Sequence, residues 1–405
     1  MANYNMKTFF IFIICPFLQV IFVFSSSICG FTLNEDGFPD WVRLKNRKHG
    51  LSKRTSTSPS PSPSTLYDDG AADIVVAKDG SGNYKTVKEA VANMPKKSGR
   101  SVIYVKAGVY DENVNVNVND VTLVGDGIGK TIITGNKSNG TGSSTFNSAT
   151  FAVDGSGFIA RGITFRNTAG VSNGQAIAVR CYSDFAVFYQ CSIEGYQDTL
   201  FYRSDHQFYR ECDIYGTVDF IFGAGVAVFQ NCNIYVRNPG PNKVNTITAD
   251  GRDDKNKVGG ISFQNCAVTA APDVKFSDLA SVKTYLGRPW RNYATTVFMQ
   301  TFLDGLIDPA GWLSWDAPLD TVYYGEYENY GMGASTARRV SWGGYHVIND
   351  TAEASKFTVE KFIDADSWLP AVMNPYNGVS DSFIKALANG ISSRAKAWRA
   401  YVLQA

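Results

Sequence analysis

Two aspartates stand at the same place in two similar segments. Residues 191–200 read CSIEGYQDTL and residues 212–221 read CDIYGTVDFI, so both follow the pattern Cys-x-Ile-x-Gly-x-x-Asp, and the second begins 21 residues after the first. Two carboxylates a few ångströms apart repel, which raises the pKa of one and suits the pair to acid–base or nucleophilic chemistry. Asp198 and Asp219 are therefore the first candidates for catalysis. The alternative, two solvated aspartates at turns, fits the apolar residues around both of them less well.

The repeat that contains these aspartates predicts the fold. Each copy has an aromatic residue three positions before an anchor cysteine and a β-branched residue two positions after it. The copies are Phe188/Cys191/Ile193, Tyr209/Cys212/Ile214, Phe229/Cys232/Ile234 and Phe263/Cys266/Val268, with a degenerate fifth at Phe165/Thr168. The steps between copies are 23, 21, 20 and 34 residues. This period, in a region rich in short strands, predicts an all-β protein built as a parallel β-helix.

Stacking of the coils gives the predicted site its geometry. Equivalent residues of neighbouring coils lie about 4.8 Å apart along the axis of such a solenoid. The seventh residue after each anchor is Gln175, Asp198 or Asp219. We therefore expect these three side chains to form a column on one face. Within the repeat region only residues 84–94 have clear helical spacing, so the fold should contain few helices, short and near its ends.

The two ends of the chain differ in composition from the middle. Residues 1–30 contain an apolar run after Lys7 and predict a secretory signal peptide cleaved near Gly30, with a membrane anchor as the alternative. Residues 31–70 include alternating Ser-Pro and predict an extended linker or pro-segment. The catalytic domain is expected over residues 71–380. Apolar residues at helical spacing predict a helical tail over residues 381–405.

Charge and cysteine content limit the classes of function. The formal net charge is +1, which gives no support for nucleic-acid binding or, after signal cleavage, for membrane association. Outside the signal segment there are five cysteines, Cys181, Cys191, Cys212, Cys232 and Cys266, without metal-site spacing, so no metal is expected. Secretion makes a disulfide plausible; we expect Cys212–Cys232, on neighbouring coils, and Cys232–Cys266 stays open. The sequons at Asn136, Asn139 and Asn349 predict glycosylation.

Five segments resemble a known family in order and spacing. They are GVYDE (108–112), QAIAV (175–179), GYQDTL (195–200), GTVDFIFG (216–223) and LGRPW (286–290), and together they resemble the signature segments of plant pectin methylesterases. The resemblance covers residues 71–369. It implies a right-handed parallel β-helix that hydrolyses methyl esters of galacturonate in cell-wall pectin (homogalacturonan), as a secreted monomer without a cofactor. The chain is too short for the large inhibitor-like pro-domain that many members contain, so we expect a form without it.

The resemblance also implies roles for individual residues. Asp219 is the expected nucleophile, and Asp198 the acid that protonates methanol and then activates water. Arg288 would pair with Asp219, and Gln175 and Gln197 would donate hydrogen bonds to the oxyanion. The expected substrate contacts are Thr145, Gln175, Phe201, Phe222, Arg288, Trp290 and Trp312.

The sequence leaves some alternatives open. Asp250 stands where the plant pattern usually has Gln, and Gly174 where it usually has His, so substrate fit could differ. A pectin lyase or a polygalacturonase would share the solenoid and the substrate, and an inactive wall protein would bind pectin without turnover. A proteinaceous pectinesterase inhibitor is an expected partner by resemblance alone.

Overall fold

Three parallel sheets make up most of the molecule. The structure, a computed structural model, describes residues 72–95, 97–370, 373, 375 and 379. The predicted signal peptide, linker and helical tail lie outside these residues. Every strand pair in the described part is parallel, and the chain visits the sheets in a fixed rotation. The architecture is a right-handed parallel β-helix with few short helices, as the repeat and the resemblance predicted.

The strands are numbered β1 to β26 in chain order. The eleven-stranded sheet contains β1 (Ile74–Val76), β2 (Ser101–Val105), β5 (Val121–Gly125), β8 (Ile159–Arg161), β11 (Ala186–Tyr189), β14 (Gln207–Arg210), β17 (Val226–Gln230), β20 (Gly260–Gln264), β23 (Thr295–Met299), β25 (Tyr323–Tyr327) and β26 (Tyr345–Val347). The eight-stranded sheet contains β3 (Gly108–Asp111), β6 (Thr131–Gly135), β9 (Thr164–Asn167), β12 (Ser192–Glu194), β15 (Asp213–Gly216), β18 (Asn233–Val236), β21 (Ala267–Ala270) and β24 (Phe302–Leu303). The seven-stranded sheet contains β4 (Val114–Val116), β7 (Phe151–Val153), β10 (Val179–Cys181), β13 (Leu200–Tyr202), β16 (Val218–Gly223), β19 (Asn245–Asp250) and β22 (Thr284–Gly287).

The aromatic residues of the repeat stack inside the solenoid. Phe188 pairs in register with Tyr209, Tyr209 with Phe229, and Phe229 with Phe263. Their ring centroids lie 5.1, 4.5 and 4.8 Å apart, close to the spacing of neighbouring strands. All these rings are buried. Each coil therefore fills the core with the same residue type at the same position, which is why the sequence repeats.

The four anchor cysteines hold one position in successive coils, whereas Cys181 lies in β10, and the cysteines correct one expectation. All five are buried free thiols, so the predicted Cys212–Cys232 disulfide is absent from the structure. The thiol of Cys212 donates to the carbonyl of Phe188 at 3.2 Å, and that of Cys232 donates to the carbonyl of Tyr209 at 3.4 Å. Side chains at matched positions of parallel strands project side by side, whereas a disulfide needs Cβ atoms that converge. The thiols satisfy backbone acceptors instead.

In the five coils that start with β11, β14, β17, β20 and β23, a two-residue turn joins the eleven-stranded sheet to the eight-stranded sheet. The first residue of the turn has positive φ in successive coils: Gln190 (52°), Glu211 (53°), Asn231 (58°), Asn265 (53°) and Gln300 (51°). This left-handed conformation is unfavourable for residues other than glycine. Side-chain hydrogen bonds between coils offset the cost, as between Asn265 and Asn231 at 2.8 Å. The first residue of each turn determines how the residues after it, including the anchor cysteine, align with the equivalent residues of neighbouring coils.

Short helices cover the solenoid. The helix predicted over residues 84–94 is observed as α1 (Val87–Ala92), which begins after the N-cap Thr86. The others are α2 (Phe276–Leu279), α3 (Thr351–Ser355), α4 (Val359–Phe362) and α5 (Ala365–Trp368), with 3₁₀ turns at Asn139–Thr141, Phe146–Ser148 and Val171–Asn173. Residues from α4 and α5 pack on apolar side chains of β8, β11, β14 and β17. Within the described residues no helix is long and apolar enough to cross a membrane.

Candidate active site

The two predicted catalytic aspartates lie on adjacent coils, where the chain enters the seven-stranded sheet: Asp198 precedes β13, and Asp219 is the second residue of β16. Leu200 of β13 pairs with Ile221 of β16, so Asp198 and Asp219 hold equivalent positions. The backbone N–H of Asp198 donates to the carbonyl of Val218 at 3.0 Å. Both aspartates are in the left-handed region, with φ of 61° and 49°. Strained backbone of this kind at a pair of buried carboxyl groups is common at functional sites.

The side chain of Asp219 accepts hydrogen bonds from three donor groups of two residues. The register of β16 against β19 shifts between Val218 and Ile221, and Asp219 lies in this irregular stretch. Its Oδ1 accepts from Thr246 Oγ1 at 2.6 Å and from Arg288 Nε at 2.8 Å, while its Oδ2 accepts from Arg288 Nη2 at 2.6 Å. This two-point ion pair fixes the orientation of the carboxylate. Thr246 is a site residue that the sequence analysis missed, because no motif contains it.

Asp198 has the opposite electrostatics. Only 8% of it is exposed. Burial, followed by the neighbouring carboxylate of Asp219, raises the pKa of Asp198 well above its usual range, and Arg288 opposes the shift only in part. Asp198 therefore favours the protonated form beside an ionised partner. One carboxyl group can give a proton while the other supplies an electron pair.

The predicted glutamines lie at the same turn, although not as one column with the aspartates. Val179 pairs with Leu200, so the position equivalent to Asp198 on the preceding coil is Ile177 and not Gln175. The fifth repeat copy was out of phase: Phe165 pairs with Ile193. The carbonyl of Gln197 accepts from the N–H of Ala176 at 3.1 Å, which places the segment after Gln175 directly beside that of Gln197. Both glutamine side chains are half-buried.

Arg288 lies in a loop that also contains Trp290, and its side chain contacts Trp315. The N–H of Arg288 donates to the carbonyl of Thr248 at 3.0 Å, which sets the loop against β19. Its guanidinium also lies over the ring of Trp315, 3.9 Å from the centroid. A flat cation on an aromatic face is a stabilising contact that a lysine would reproduce poorly. Trp315 is 36% exposed, so its ring borders the site.

Trp312 is not a surface contact, which corrects another expectation. It is 1% exposed, stacks on Tyr324 at 4.2 Å and donates from its indole N–H to the buried carboxylate of Glu326 at 3.4 Å. Glu326 is itself paired with Arg339 at 2.8 Å. Trp312 therefore belongs to the core, and Trp315, three residues later, has the exposed ring that the sequence analysis assigned to Trp312.

The other predicted aromatic contacts form one floor beside the aspartates. Phe201 and Phe222 stack with centroids 4.6 Å apart and an interplanar angle of 3°, and each is 7% exposed. Trp290 meets Phe222 edge-on at 6.1 Å and is half-buried. A Cβ on Gly251 would lie 2.6 Å from the Trp290 ring, so this position requires glycine. Beyond Trp290 lies a cavity of about 400 Å³ that Arg203, Arg252 and Arg291 help to line.

The remaining predicted residues are on or near the surface. Thr145 is half-buried and precedes the 3₁₀ turn of Phe146, whose ring covers the guanidinium of Arg180 at 3.9 Å. Arg180 pairs in register with Phe201, so Thr145 lies near the aromatic floor through Phe146. The three sequon asparagines, Asn136, Asn139 and Asn349, are exposed, and their glycosylation stays a prediction.

Comparisons with known proteins identify the family of this chain. The family model for pectinesterases matches residues 73–366. Pectinesterase 2 of Citrus sinensis is 56% identical over 345 residues, which cover 84% of this chain and 64% of the relative. A protein of Arabidopsis thaliana described as probable pectinesterase/pectinesterase inhibitor 17 is 58% identical over 339 residues, covering 83% of this chain and 63% of the relative. The chain thus spans just under two thirds of the length of these relatives.

Solved structures show the same fold. A pectin methylesterase from carrot is 48% identical and superposes with a TM-score of 0.74, covering 77% of this chain and 99% of that one. A pectin methylesterase from Aspergillus niger is 28% identical with a TM-score of 0.65, covering 78% and 100%. The matched family region contains both aspartates, Arg288 and the aromatic floor. The chain therefore belongs to the pectinesterase family.

Proposed function

We propose that this protein hydrolyses methyl esters of galacturonate units in pectin (homogalacturonan), releasing methanol and acidic pectin. The observation that supports the proposal is the pair of buried aspartates on adjacent coils, one bound by Arg288 and Thr246 and the other with a raised pKa. Membership of the pectinesterase family supports the substrate class. A related pectin methylesterase, 27% identical, has been solved in complex with a hexasaccharide, which supports binding of an oligosaccharide in this fold.

The first half of the proposed reaction uses both aspartates. The carboxylate of Asp219 attacks the ester carbonyl carbon, forming a C–O bond and a tetrahedral oxyanion. The amide groups of Gln175 and Gln197 donate hydrogen bonds to this oxyanion. Collapse of the intermediate breaks the bond to the methoxy oxygen, which takes the proton of Asp198 and leaves as methanol. The galacturonate acyl group is then bound to Asp219 as an anhydride.

The second half reverses the role of Asp198. Its carboxylate takes a proton from water while the water oxygen attacks the acyl carbon. Collapse of the second tetrahedral intermediate releases the galacturonate acid and restores the Asp219 carboxylate. Arg288 orients Asp219 for attack and stabilises it as the leaving carboxylate.

The aromatic residues give the sugar chain a surface on which to lie. Pyranose rings pack on aromatic faces, and Phe222 and Trp290 stand next to the aspartates with Phe201 behind them. We assign the opposite border to Trp315, in place of Trp312, because its ring is exposed and lies on Arg288. Thr145 extends the proposed contact surface toward β10.

The proposed setting is the plant cell wall, reached by secretion, with the protein acting as a monomer. The citrus relative is named a pectinesterase, which supports pectin as the substrate. The names of the Arabidopsis relatives couple pectinesterase with pectinesterase inhibitor. A proteinaceous inhibitor of this type is therefore the proposed protein partner, and inhibition by a purified inhibitor would test it.

Methanol release from highly esterified pectin tests the proposal. We expect the wild-type protein to release methanol and acid in equal amounts, and the Asp219→Ala variant to release neither. Appearance of unsaturated products would instead indicate a lyase, and new reducing ends would indicate a polygalacturonase. Binding of pectin without any product would indicate an inactive wall protein. Activity that survives in Asp219→Ala would contradict the assignment of the nucleophile.

A further inference from the structure

A third aspartate is buried close to the site without a part in the reaction above. Asp250 ends β19 and is completely buried. Its Oδ1 accepts from the hydroxyl of Tyr202 at 2.6 Å. Its Oδ2 accepts from the backbone N–H of Thr295 at 2.8 Å and from that of Arg252 at 3.3 Å. A buried carboxyl group with three donors is costly to maintain, so its position in the fold needs a reason.

Asp250 holds the end of the loop that contains Arg288 and Trp290. This loop, residues 288–295, is attached to β19 and the residues after it by five hydrogen bonds. Three join backbone groups: Arg288 N–H to Thr248 O, Trp290 N–H to Asp250 O, and Tyr293 N–H to Arg252 O. The other two use side chains: Arg252 Nη1–H donates to Thr295 Oγ1 at 3.1 Å, and Thr295 N–H donates to the Asp250 carboxylate. Of these five bonds, only the one to Asp250 has a side chain that changes its charge near neutral pH, because arginine stays protonated.

We propose that Asp250 is a positioning residue whose carboxylate fixes the 288–295 loop, and that its protonation loosens the loop and weakens substrate binding. The proposal rests on the function proposed above, because Arg288 and Trp290 are taken as parts of the substrate site. Asp250 does not contact the reacting atoms. It acts through the placement of the guanidinium that binds Asp219 and of the indole that borders the aromatic floor.

The surroundings of Asp250 bring its titration into the neutral range. Burial raises its pKa to about 6, although the hydroxyl of Tyr202, the N–H groups of Thr295 and Arg252, and the charge of Arg252 all act in the other direction. Two buried tyrosines sense its charge: Tyr202, which donates to it, and Tyr324, which also senses Asp219. Burial is the main cause that raises the pKa of both. The Asp250 carboxyl therefore changes charge at mildly acidic pH.

The proposal links substrate binding to the acidity that the reaction produces. Each ester hydrolysed yields one carboxylic acid, which loses its proton to the medium near neutral pH. As the pH falls below about 6, Asp250 becomes protonated and the N–H of Thr295 loses a charged acceptor. We expect KM to rise by about threefold to tenfold between about pH 7 and pH 5, the effect of weakening one hydrogen bond to a charged group.

Kinetics of Asp250→Asn test the proposal. The substrate is a fully methyl-esterified oligogalacturonate, because its initial rates contain no contribution from substrate carboxyl groups. In the wild type we expect KM to depend on pH with a midpoint near 6. In Asp250→Asn we expect KM to be raised at pH 7 and independent of pH from 5 to 7. The change of kcat with pH that Asp198 causes should remain in the variant.

A control variant separates this effect from the loss of a buried carboxyl group in general. Asp304 follows β24, is partly buried with a raised pKa, and accepts from the N–H of Gly305, away from the 288–295 loop. Asp304→Asn should leave the KM profile unchanged. A wild-type KM without a midpoint near 6, or an Asp250→Asn profile that coincides with the wild type, would overturn the proposal. The wild-type profile gives this answer even if the variant does not fold.

Two further readouts complete the test. The folded-state pKa of Asp250 is about 6 against an ordinary value of 3.8, so its contribution to stability is lost as the pH rises from about 4 to 6. Asp250→Asn lacks this loss, so its Tm should rise relative to the wild type over that interval. If the wild type releases no methanol, the proposed function fails; the dissociation constant of the oligomer, measured against pH by calorimetry, then tests the loop on its own.

Discussion

The turns that contain Asp198 and Asp219 have the same backbone and different neighbours. Both begin with a Cys-x-Ile-x-Gly segment, both place the aspartate at positive φ, and both connect the eight-stranded sheet to the seven-stranded sheet. Asp219 binds Thr246 and Arg288, which come from β19 and the 288–295 loop. Asp198 lies one coil away, where burial and the charge of Asp219 raise its pKa.

This difference shows how a repeating fold produces two chemical roles. The repeat gives two carboxyl groups the same position and direction, which alone would make them equivalent. The residues that distinguish them come from outside the repeated segment, and they bind only the second copy. The charge on Asp219 then favours the proton on Asp198, so fixing one role fixes the other.

The largest effect should come from removing the nucleophile while keeping its shape. Asp219→Asn should reduce kcat by at least about 10⁴-fold, as loss of a catalytic nucleophile does in other hydrolases. Methanol release under saturating pectin measures it, with circular dichroism as the control for folding. A reduction of tenfold or less would contradict the assignment of the nucleophile to Asp219 and of the acid–base role to Asp198.

Asp198→Asn should have the next largest effect. Loss of general acid–base catalysis costs roughly 10²–10⁴-fold in kcat. Because the pKa of Asp198 is raised in the folded protein, the wild type should lose stability as the pH rises through that pKa, and the variant should not. Thermal unfolding of both proteins between pH 5 and 9 measures the difference. Parallel Tm curves would show that Asp198 is already ionised throughout this range.

The glutamines test how far the site extends over the two coils. Gln197→Ala should lower kcat by about 10²–10³-fold if its amide binds the oxyanion. Gln175→Ala is the matched variant on the preceding coil, and we expect an effect of the same order. If either variant changes KM and leaves kcat unaltered, that glutamine binds the substrate in its ground state and does not stabilise the oxyanion.

Thr246→Val should have the smallest effect. It removes the hydroxyl that donates to the Asp219 carboxylate and accepts from the Asp219 N–H, while Arg288 stays in place. Such a bond to a charged group contributes about 1.5–3 kcal/mol, so a loss of roughly tenfold or more in kcat/KM is expected. Thr248→Val, two residues later in β19, removes a hydroxyl that donates to the carbonyl of Leu286 and is the control for the same replacement in the same strand. Equal losses of kcat/KM in both variants would show that altered packing of β19, and not the lost hydrogen bond to Asp219, causes the loss.

Sequence patterns predicted those parts of the site that repeat. The cysteine-anchored copies correctly predicted the stacking of Phe188, Tyr209 and Phe229. They also predicted the equivalent positions of Asp198 and Asp219, because each coil must fill the same core. The degenerate copy at Phe165 gave the wrong phase, since it lacks an anchor cysteine. Strand pairing places Ala160, and not Phe165, beside Phe188.

Features that depend on single long-range contacts could not be predicted. Trp312 and Trp315 are three residues apart in one loop, and long-range contacts of the first, with Tyr324 and the buried Glu326, distinguish the core residue from the surface residue. Thr246 contacts Asp219 where the register between β16 and β19 shifts locally, and no pattern in the sequence of either strand indicates this shift. The disulfide expectation failed for a related reason, since neighbouring coils bring cysteines near one another without making their side chains converge.

Infrared difference spectroscopy at pH 7 tests the central claim, that one aspartate is protonated beside an ionised one. We predict a carbonyl band of a buried carboxylic acid in the wild type that disappears in Asp198→Asn and persists in Asp250→Asn, because Asp250 is mostly ionised at this pH. A wild-type spectrum without this band, or a band that Asp198→Asn leaves unchanged, would contradict the division between the two turns.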